Sequence, residues 1–284
     1  MSTRTRRRNS ALIHLLALVV SLCVLLPFVY TVLASVTPQR VLISTPLRWI
    51  PDHLDWSRYD QIFRGGAESV GATFRAAMVN SLIVAVGTVF ISLLVGVLGA
   101  YAFARLRFRL RRFLLIFFLV TYMLPQIAML VPLYLMLNSV GLLDSKTGLI
   151  IVDCALVVPF VLWILSNYFT SIPEELEEAA LIDGTNRVGA LFRVVLPAAR
   201  PGLIAGMIFA FLLAWDEFMF ALIFTSSDNA KTLPVAISEF AGRYTTDFGL
   251  VAAGGVLAAL PPIVVAVIFQ RFIVSGMASG AVKG

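Results

Sequence analysis

The amino-acid sequence predicts an all-α membrane protein with six transmembrane helices. Of its 284 residues, 60% are hydrophobic and only 13% are charged, whereas about a quarter of the residues in a soluble domain are charged. Six apolar stretches are each long enough to cross about 30 Å of hydrocarbon. They are Ala11–Ser35, Val79–Ala104, Phe113–Met136, Leu149–Phe169, Pro201–Ser226 and Phe248–Phe272. Both cysteines, Cys23 and Cys154, lie inside such stretches, which excludes a secreted disulfide scaffold.

The basic residues predict that both termini are cytoplasmic. Fourteen of the 22 Lys and Arg residues lie in the N-terminal tail, after the second apolar stretch, between the fourth and fifth, and at or beyond the end of the sixth. These segments share one side of the membrane, and an excess of basic residues marks the cytoplasmic side. We therefore assign the net charge of +6 to topology and to contacts with membrane lipid, and expect no nucleic-acid partner.

The segment boundaries follow from this topology. The first apolar stretch is longer than the roughly 7–15 residues of a cleaved signal sequence, so we expect it to remain as an anchor. The outer loop that follows it contains Trp49, Pro51, Trp56 and Tyr59, which predict short interfacial helices. The predicted segments are a cytoplasmic basic tail (1–10), the first transmembrane anchor helix (11–35), an extracytoplasmic loop (36–74), a transmembrane domain (75–272) with a cytoplasmic loop (170–200), and a cytoplasmic C-terminal tail (273–284).

The cytoplasmic loop 170–200 begins with the pattern of a short amphipathic helix. Ser171 and Glu174 match a capping box, and the glutamates that follow are favoured at a helix N-terminus by the helix dipole. Gly184 stands where a helix ends in a left-handed conformation. The apolar positions of this predicted helix are Leu176, Ala179, Ala180 and Ile182.

A second helix is predicted over Arg187–Val195, ending at Leu196-Pro197. On this pattern alone, two interpretations stay open. The pair of helices is either an amphipathic hairpin on the membrane surface, or its first helix docks into a groove of a cytoplasmic partner.

Glycine and proline predict close packing and bends. Gly202 and Gly206 form a G-x-x-x-G pattern that allows two helices to approach closely. Pro125 and Pro132 in the third stretch, and Pro159 in the fourth, interrupt helix hydrogen bonding. These interruptions are either static kinks or hinges.

The cytoplasmic loop resembles a known family signature. Glu178-Ala179-Ala180, Gly184, Val194 and Leu196-Pro197 stand at the spacing of the EAA loop of inner-membrane permease subunits of ATP-binding-cassette (ABC) importers. Asp183 before Gly184 matches the commoner form of that loop. The position of the loop between the fourth and fifth of six spans also fits the family.

Further similarity to the carbohydrate importers of this family extends over nearly the whole chain. The chain ends like the smaller permease of maltose-type systems. The matching segments are Asn80-Ser81-Leu82, Tyr101-Ala102-Phe103-Ala104-Arg105, Trp215-Asp216-Glu217-Phe218 and Ser279–Gly284. Two positions depart from the group, because Asp216 stands where Asn is commoner and Val152-Asp153 where Pro followed by an aromatic is frequent.

The resemblance implies a type I ABC importer transmembrane fold and a binding-protein-dependent permease for a sugar, a di- or oligosaccharide. It implies three kinds of partner: a second homologous permease subunit, a dimer of ABC ATPase subunits and an extracytoplasmic substrate-binding protein. It also implies a surface that couples the chain to the ATPase. The residues of that surface are Glu178, Ala179, Ala180, Asp183, Gly184, Leu196 and Pro197.

Three carboxylates within apolar stretches, Asp153, Asp216 and Glu217, are costly to bury and are candidates for a solute path. Each either meets water or a hydroxyl in the helix bundle without touching solute, or lines a translocation cavity. In the second case a carboxylate accepts hydrogen bonds from sugar hydroxyls, and Trp215 offers an apolar face for a ring.

The sequence gives no sign of an enzyme. It lacks the Gly-x-x-x-x-Gly-Lys-Ser/Thr loop that binds nucleotide phosphates, and we expect ATP and Mg²⁺ to be bound by the partner ATPase. His14 and His53 lie far apart in the sequence, so no metal ligands are predicted.

Two alternatives remain open from the residues. One is an ABC importer for a non-sugar solute such as a glycerol phosphate, a polyamine or phosphate, since the loop signature is shared widely. The other is an ion-coupled secondary transporter, which would need no ATPase and usually contains structural repeats.

Overall fold

The computed structural model describes residues 3–46, 48–66, 69–241 and 247–281, and all the regular structure among them is helical. The predicted all-α class is therefore confirmed. The helices are α1 (Thr3–Ser35), α2 (Gln39–Leu42), α3 (Ser57–Arg64), α4 (Val70–Arg105), α5 (Arg111–Tyr122), α6 (Gln126–Ser139), α7 (Lys146–Ser171), α8 (Glu174–Ile182), α9 (Arg187–Ala190), a π-helical turn (Leu191–Val195), α10 (Leu196–Ala198), α11 (Arg200–Trp215), α12 (Met219–Phe224), α13 (Leu233–Glu239) and α14 (Phe248–Ala281).

Between four and six membrane spans are available in the described part of the chain. Four helical stretches are each long and apolar enough to cross a bilayer: Ile13–Ser35, Val70–Arg105, Lys146–Ser171 and Phe248–Arg271. Two further pairs of helices meet at sharp bends and raise the number to six if each pair forms one span: Arg111–Tyr122 with Gln126–Ser139, and Arg187–Ala198 with Arg200–Trp215. The predicted number of six is the upper end of this range.

The third predicted stretch, Phe113–Met136, is not one straight helix. It is divided between α5 and α6, whose axes are bent by 94°. Pro125 precedes α6 with φ −63° and ψ 126°. Proline lacks an N–H group and disfavours helical geometry in the residue before it. The interruption at Pro125 was predicted, but the prediction that Phe113–Met136 forms one continuous stretch was wrong.

The fifth predicted stretch, Pro201–Ser226, is also broken. α11 ends at Trp215 and α12 begins at Met219, so Asp216, Glu217 and Phe218 lie at a break and not on the turns of one helix. Helical geometry therefore does not set the directions of the Asp216 and Glu217 side chains.

The ends of the chain are more helical than predicted. The backbone of α1 begins at Thr3, within the predicted basic tail, and α14 continues through Ala281, within the predicted C-terminal tail. Residues 282–284, which complete the maltose-type ending, lie outside the described residues. Two short helices, α2 and α3, lie between α1 and α4, where the sequence predicted short helices.

The chain folds as two compact units, one of which comprises Met1–Phe74 and Ile237–Ala259. In this unit the buried Arg58 places its Nε 3.1 Å from Oδ1 of Asp247 and donates from Nη1 to the carbonyl oxygen of Thr37 at 2.7 Å. Gly249 leaves room for the guanidinium, because a Cβ there would lie 2.0 Å from Cζ of Arg58. The segment between α1 and α4 is thereby fastened to the start of α14.

The second unit comprises Arg75–Ala236 and Leu260–Gly284. Part of its core forms where Val161, Leu165 and Phe169 of α7 pack against buried residues of α4 and α11. α11 approaches α7 closely at Gly202, where a Cβ would lie 2.3 Å from Cγ of Tyr168, but not at Gly206, whose nearest neighbours are 3.8 Å away. The close approach predicted from the glycine pair is confirmed at Gly202 only.

The loop after α12 is held by residues within α4 and at the start of α7. The side-chain amide of Asn80 donates to the carbonyl oxygens of Asp228 and Lys231 at 2.9 and 3.0 Å, and Ser81 Oγ accepts from the Leu233 N–H at 2.7 Å. Lys146 donates to the carbonyl oxygen of Asn229 at 2.6 Å. The Asn80-Ser81 motif therefore has a structural task in this unit.

Candidate functional site

α8 begins later than the capping-box pattern predicted. Pro173 occupies its N-cap, and no side chain caps this end. Ser171 is the last residue of α7, and its hydroxyl donates back to the carbonyl oxygen of Tyr168 at 2.7 Å. The predicted capping role of Ser171 is wrong because its hydroxyl already satisfies a carbonyl in the last turn of α7.

Gly184 ends α8 as the sequence predicted. Its φ is +86°, and its N–H donates to the carbonyl oxygen of Leu181 at 3.1 Å while the Thr185 N–H donates to that of Ala180 at 3.0 Å. These two bonds form a Schellman motif. Since a Cβ at Gly184 would meet nothing within 4 Å, the requirement for glycine is conformational and not steric.

The apolar positions of α8 face outward. The Leu176 and Ile182 side chains are 50% and 85% exposed, Ala179 is exposed and Ala180 is half-buried. Glu178, Asp183 and Gly184 are exposed too. Most of the predicted coupling residues therefore lie together at an open helix surface and its C-terminal turn.

The second helix of the loop extends further than predicted. Asn186 caps α9, its Oδ1 accepting from the Gly189 N–H at 2.7 Å. The helix then widens into a π-helical turn, in which the Leu196 N–H donates to the carbonyl oxygen of Leu191, and it continues to Ala198. The predicted end at Leu196-Pro197 is wrong, because proline is tolerated in the first turn of a new helical segment.

Glu177 is the residue of α8 whose importance the sequence did not reveal. It is 8% exposed and accepts a hydrogen bond from the Tyr101 hydroxyl. Its Oε2 lies 3.0 Å from Nε of Arg105. The only signal of this contact was that Tyr101 and Arg105 belong to the same family-like segment at the end of α4.

The structure brings the three candidate carboxylates together at one cavity of about 720 Å³. Asp153 reaches it from α7, and Asp216 and Glu217 reach it from the break between α11 and α12. The other lining residues are mainly apolar or aromatic: Tyr122, Leu124, Gln126, Leu156, Val157, Phe209, Leu212, Leu213, Phe218 and Met219. The described residues contain no group of three or more His, Cys, Asp or Glu side chains that could hold a metal ion.

The three carboxylates differ in their surroundings. Asp153 is 2% exposed, and its Oδ1 has no hydrogen-bond partner among the described residues. Asp216 is exposed. Glu217 accepts from the N–H groups of Phe220 and Ala221 at 2.7 and 2.9 Å and so caps α12. Glu217 thus has a structural role, whereas Asp153 and Asp216 have acceptor oxygens to offer.

Tyr122, which the sequence did not indicate, contributes one of the aromatic rings that line the cavity. Its ring is 40% exposed and is backed by Phe160, with the two ring centroids 5.5 Å apart. Trp215 is buried and stacked on Phe211 at 5.5 Å, and it does not line this cavity.

Comparison with known proteins agrees with this architecture. The family described as "Binding-protein-dependent transport system inner membrane component" matches residues 92–279. The trehalose transport system permease protein SugB of Mycobacterium tuberculosis is 36% identical over 262 residues, which cover 92% of this chain and 93% of SugB. The sulfoquinovosyl glycerol transport system permease protein SmoH of Agrobacterium fabrum is 35% identical over 260 residues, covering 92% of this chain and 89% of SmoH.

A similar fold occurs in the crystal structure of a bacterial ABC transporter involved in the import of the acidic polysaccharide alginate. A chain of that transporter superposes with a TM-score of 0.75 at 25% sequence identity, covering 95% of this chain and 98% of that chain. The family match and the two relatives each extend over most of the sequence. The chain therefore belongs to the family of binding-protein-dependent transport system inner membrane components, the permease subunits of ABC importers.

Proposed function

We propose that the chain forms part of the solute path of an ATP-driven importer for an uncharged di- or oligosaccharide. Coupling to an ATPase is supported by the exposed apolar surface of α8, where the Ile182 side chain is 85% exposed. An apolar helix face that is open to water favours docking into a groove of a partner. In an ABC importer the partner on this side is the ATPase.

The proposed topology has six spans and both termini in the cytoplasm. α5 and α6 are counted as one span, and α11 and α12 as another. Residues 1–10, 170–200 and 273–284 would then be cytoplasmic, and residues 36–74 extracytoplasmic. The distribution of Lys and Arg supports this orientation. We also propose that the C-terminal tail reaches the ATPase interface, because its sequence resembles the maltose-type ending.

The cavity supports a sugar as solute. Carboxylate oxygens of Asp153 and Asp216 can accept hydrogen bonds from hydroxyl groups, the amide of Gln126 can donate as well as accept, and the ring of Tyr122 offers an apolar face. Among the described lining residues there is no Lys, Arg or His. A phosphate ester or an acidic sugar would therefore find no cation on this wall, so we favour an uncharged sugar over a glycerol phosphate.

The names of the relatives point in the same direction. SugB is named for trehalose transport, and a 31% identical permease of Streptomyces coelicolor, NgcG, is named for diacetylchitobiose uptake. SmoH is named for sulfoquinovosyl glycerol, whose sulfonate is anionic. We expect this chain to transport an uncharged sugar, because the described residues that line its cavity include no Lys, Arg or His.

The proposed partners are a second permease subunit, two ATPase subunits and an extracytoplasmic binding protein. ATP and Mg²⁺ would be held by the ATPase subunits, so no residue of this chain is assigned to them. The binding protein delivers solute to the outer face, and closure of the ATPase dimer displaces the loop 170–200. That displacement changes access to the cavity, with the breaks at Pro125 and at Asp216 as candidate hinges.

The proposal is tested by reconstituting the chain with its co-encoded partners in proteoliposomes. ATP-dependent uptake of radiolabelled trehalose, maltose and diacetylchitobiose is measured beside that of an alginate disaccharide. We expect uptake of at least one uncharged sugar and none of the acidic one. Uptake driven by an ion gradient without ATP would contradict the importer, and uptake of the acidic sugar alone would contradict the proposed substrate class.

A further inference from the structure

The last turn of α4 and the inner side of α8 present charged groups to each other. Tyr101 and Arg105 are four residues apart and therefore lie on one side of α4, and Glu174 and Glu177, three apart, lie on one side of α8. We call these four residues the α4–α8 clamp. All four belong to the unit that contains residues 75–236.

The clamp holds α8 at several points along its length. The Tyr101 hydroxyl donates to Glu177 and lies 3.4 Å from the carbonyl oxygen of Arg187 in α9. Arg105 donates from Nη2 to the carbonyl oxygen of Ile172 at 2.8 Å and lies 3.0 Å from Glu177. Its Nη1 is 3.9 Å from Oε1 of Glu174. α4 thus contacts the chain before, within and after α8.

The contact between Arg105 and Glu177 is withdrawn from water, while the Glu174 side chain at the edge of the clamp is 62% exposed. The side chains of Arg105 and Glu177 are 6% and 10% exposed, whereas Glu175 on the other side of α8 is exposed. An exposed ion pair contributes little, but removing one partner of a buried pair leaves an uncompensated charge. The inner side of α8 is therefore fixed to α4, while its outer side is free to meet a partner.

α4 in turn packs closely on the helix that carries Asp153. A Cβ at Gly96 would lie 2.8 Å from Val161, and a Cβ at Gly99 would lie 2.7 Å from Leu162, both on α7. Interfaces as tight as this transmit displacement because packed cores do not deform continuously. A continuous series of contacts therefore runs from α8 through α4 to α7 and the cavity.

We propose that Tyr101, Arg105 and Glu177 are positioning residues that transmit movement of α8 to α4, and through α4 to the solute cavity. This inference rests on the proposed function, since a partner ATPase must displace α8. The clamp makes no contact with ATP or solute in this scheme. The clamp holds α8 and the end of α4 together, so that the two helices move as one body.

The test uses the complete reconstituted importer and compares sugar uptake with ATP hydrolysis in the same vesicles, using the uncharged sugar that the wild type transports. The variants are Glu177→Gln, Arg105→Gln, the double variant, and the exchange Arg105→Glu with Glu177→Arg. Tyr101→Phe is a milder change, and Glu175→Gln on the exposed side of α8 is the matched control. Co-purification of the ATPase subunits reports assembly.

We expect each single variant to assemble and to lose about tenfold in sugar transported per ATP hydrolysed, with the double variant no worse than either single one. The exchange should recover part of that ratio, and the control should match the wild type. Unchanged ratios in the single variants, or losses that multiply in the double variant, would overturn the inference. So would failed assembly of the single variants and of Tyr101→Phe without recovery in the exchange, since the clamp would then serve folding alone.

The two proposals fail in different ways. A wild-type complex that shows no ATP-dependent uptake overturns the proposed function and this inference with it. A wild-type complex that transports sugar, with clamp variants that transport equally well per ATP, overturns only the inference.

Discussion

Glu217 folds forward onto Phe220, whose N–H donates to its Oε1 at 2.7 Å. The other carboxylate oxygen accepts from the next N–H along the chain. The break between α11 and α12 is therefore closed by a side chain that satisfies the N-terminal donors of α12. A carboxylate that sequence reasoning assigned to the solute path also supports the fold.

The first prediction separates this structural role from a role in transport. Glu217→Ala should lower the free energy of unfolding by about 1–2 kcal/mol, because two N–H groups of α12 lose their acceptor. The measurement is the thermal denaturation midpoint of the purified chain in detergent. Asp216→Ala is the matched control, since its side chain makes no hydrogen bond among the described residues, and equal midpoints for the two variants would contradict the capping role.

The second prediction concerns Asp216 as a solute contact. Asp216→Leu should reduce uptake about tenfold or more at unchanged assembly, because a hydrogen-bond acceptor for a solute hydroxyl is removed. Initial uptake rates over a range of sugar concentrations measure the effect. Asp60→Asn, at an exposed carboxylate of α3, should transport like the wild type. Normal kinetics in Asp216→Leu would remove this residue from the solute path.

The third prediction uses the two glycines of α11. Gly202→Ala should destabilise the chain by about 1–3 kcal/mol, because its Cβ would overlap the Tyr168 ring. Gly206→Ala should be tolerated, since its nearest neighbours leave ordinary contact distance. Denaturation of both variants in parallel measures the difference, and a more stable Gly202→Ala would show that α11 does not pack on α7 as described.

The fourth prediction concerns Asp144, between α6 and α7, and the pH dependence of stability. Burial alone would raise the pKa of Asp144, but hydrogen bonds from Ser227 and Ser226 hold that pKa below its ordinary value. A carboxyl whose pKa is lowered by folding stabilises the folded state above its ordinary pKa, and this stabilisation is lost as pH falls through the lowered value. Asp144→Asn should therefore be less stable at neutral pH and should lose part of the acid dependence of the denaturation midpoint. If the denaturation midpoints of the wild type and of Asp144→Asn changed with pH in parallel, the stabilising role of the Asp144 carboxylate would be contradicted.

Features that depend on a short stretch of sequence could be predicted correctly. Gly184 was predicted at a left-handed helix end because the requirement lies within one turn of chain. Pro125 was predicted to interrupt a helix for the same reason. The composition of the long helices predicted their membrane character, since a span needs only length and apolar residues.

Contacts between distant segments could not be predicted. The burial of Glu177 depends on Tyr101, 76 residues earlier in the chain, and no local pattern distinguishes Glu177 from its exposed neighbours. Ser171 matched a capping box, but its hydroxyl donates a hydrogen bond to the carbonyl oxygen of Tyr168 instead. The ring of Tyr122 lies beside Phe160 of α7, a contact between separate helices that no local pattern predicts.

The most direct test of the coupling mechanism is ATPase stimulation in the reconstituted importer with substitutions at Gly184. Its φ of +86° is tolerated by Asn but strains a β-branched residue by about 1 kcal/mol or more, and neither side chain would meet a neighbour within 4 Å at Cβ. We predict that Gly184→Val remains in the membrane but loses most of the stimulation of ATP hydrolysis by sugar-loaded binding protein, while Gly184→Asn retains most of it. Full stimulation in Gly184→Val would contradict the account, because α8 would then be a surface hairpin with no part in coupling.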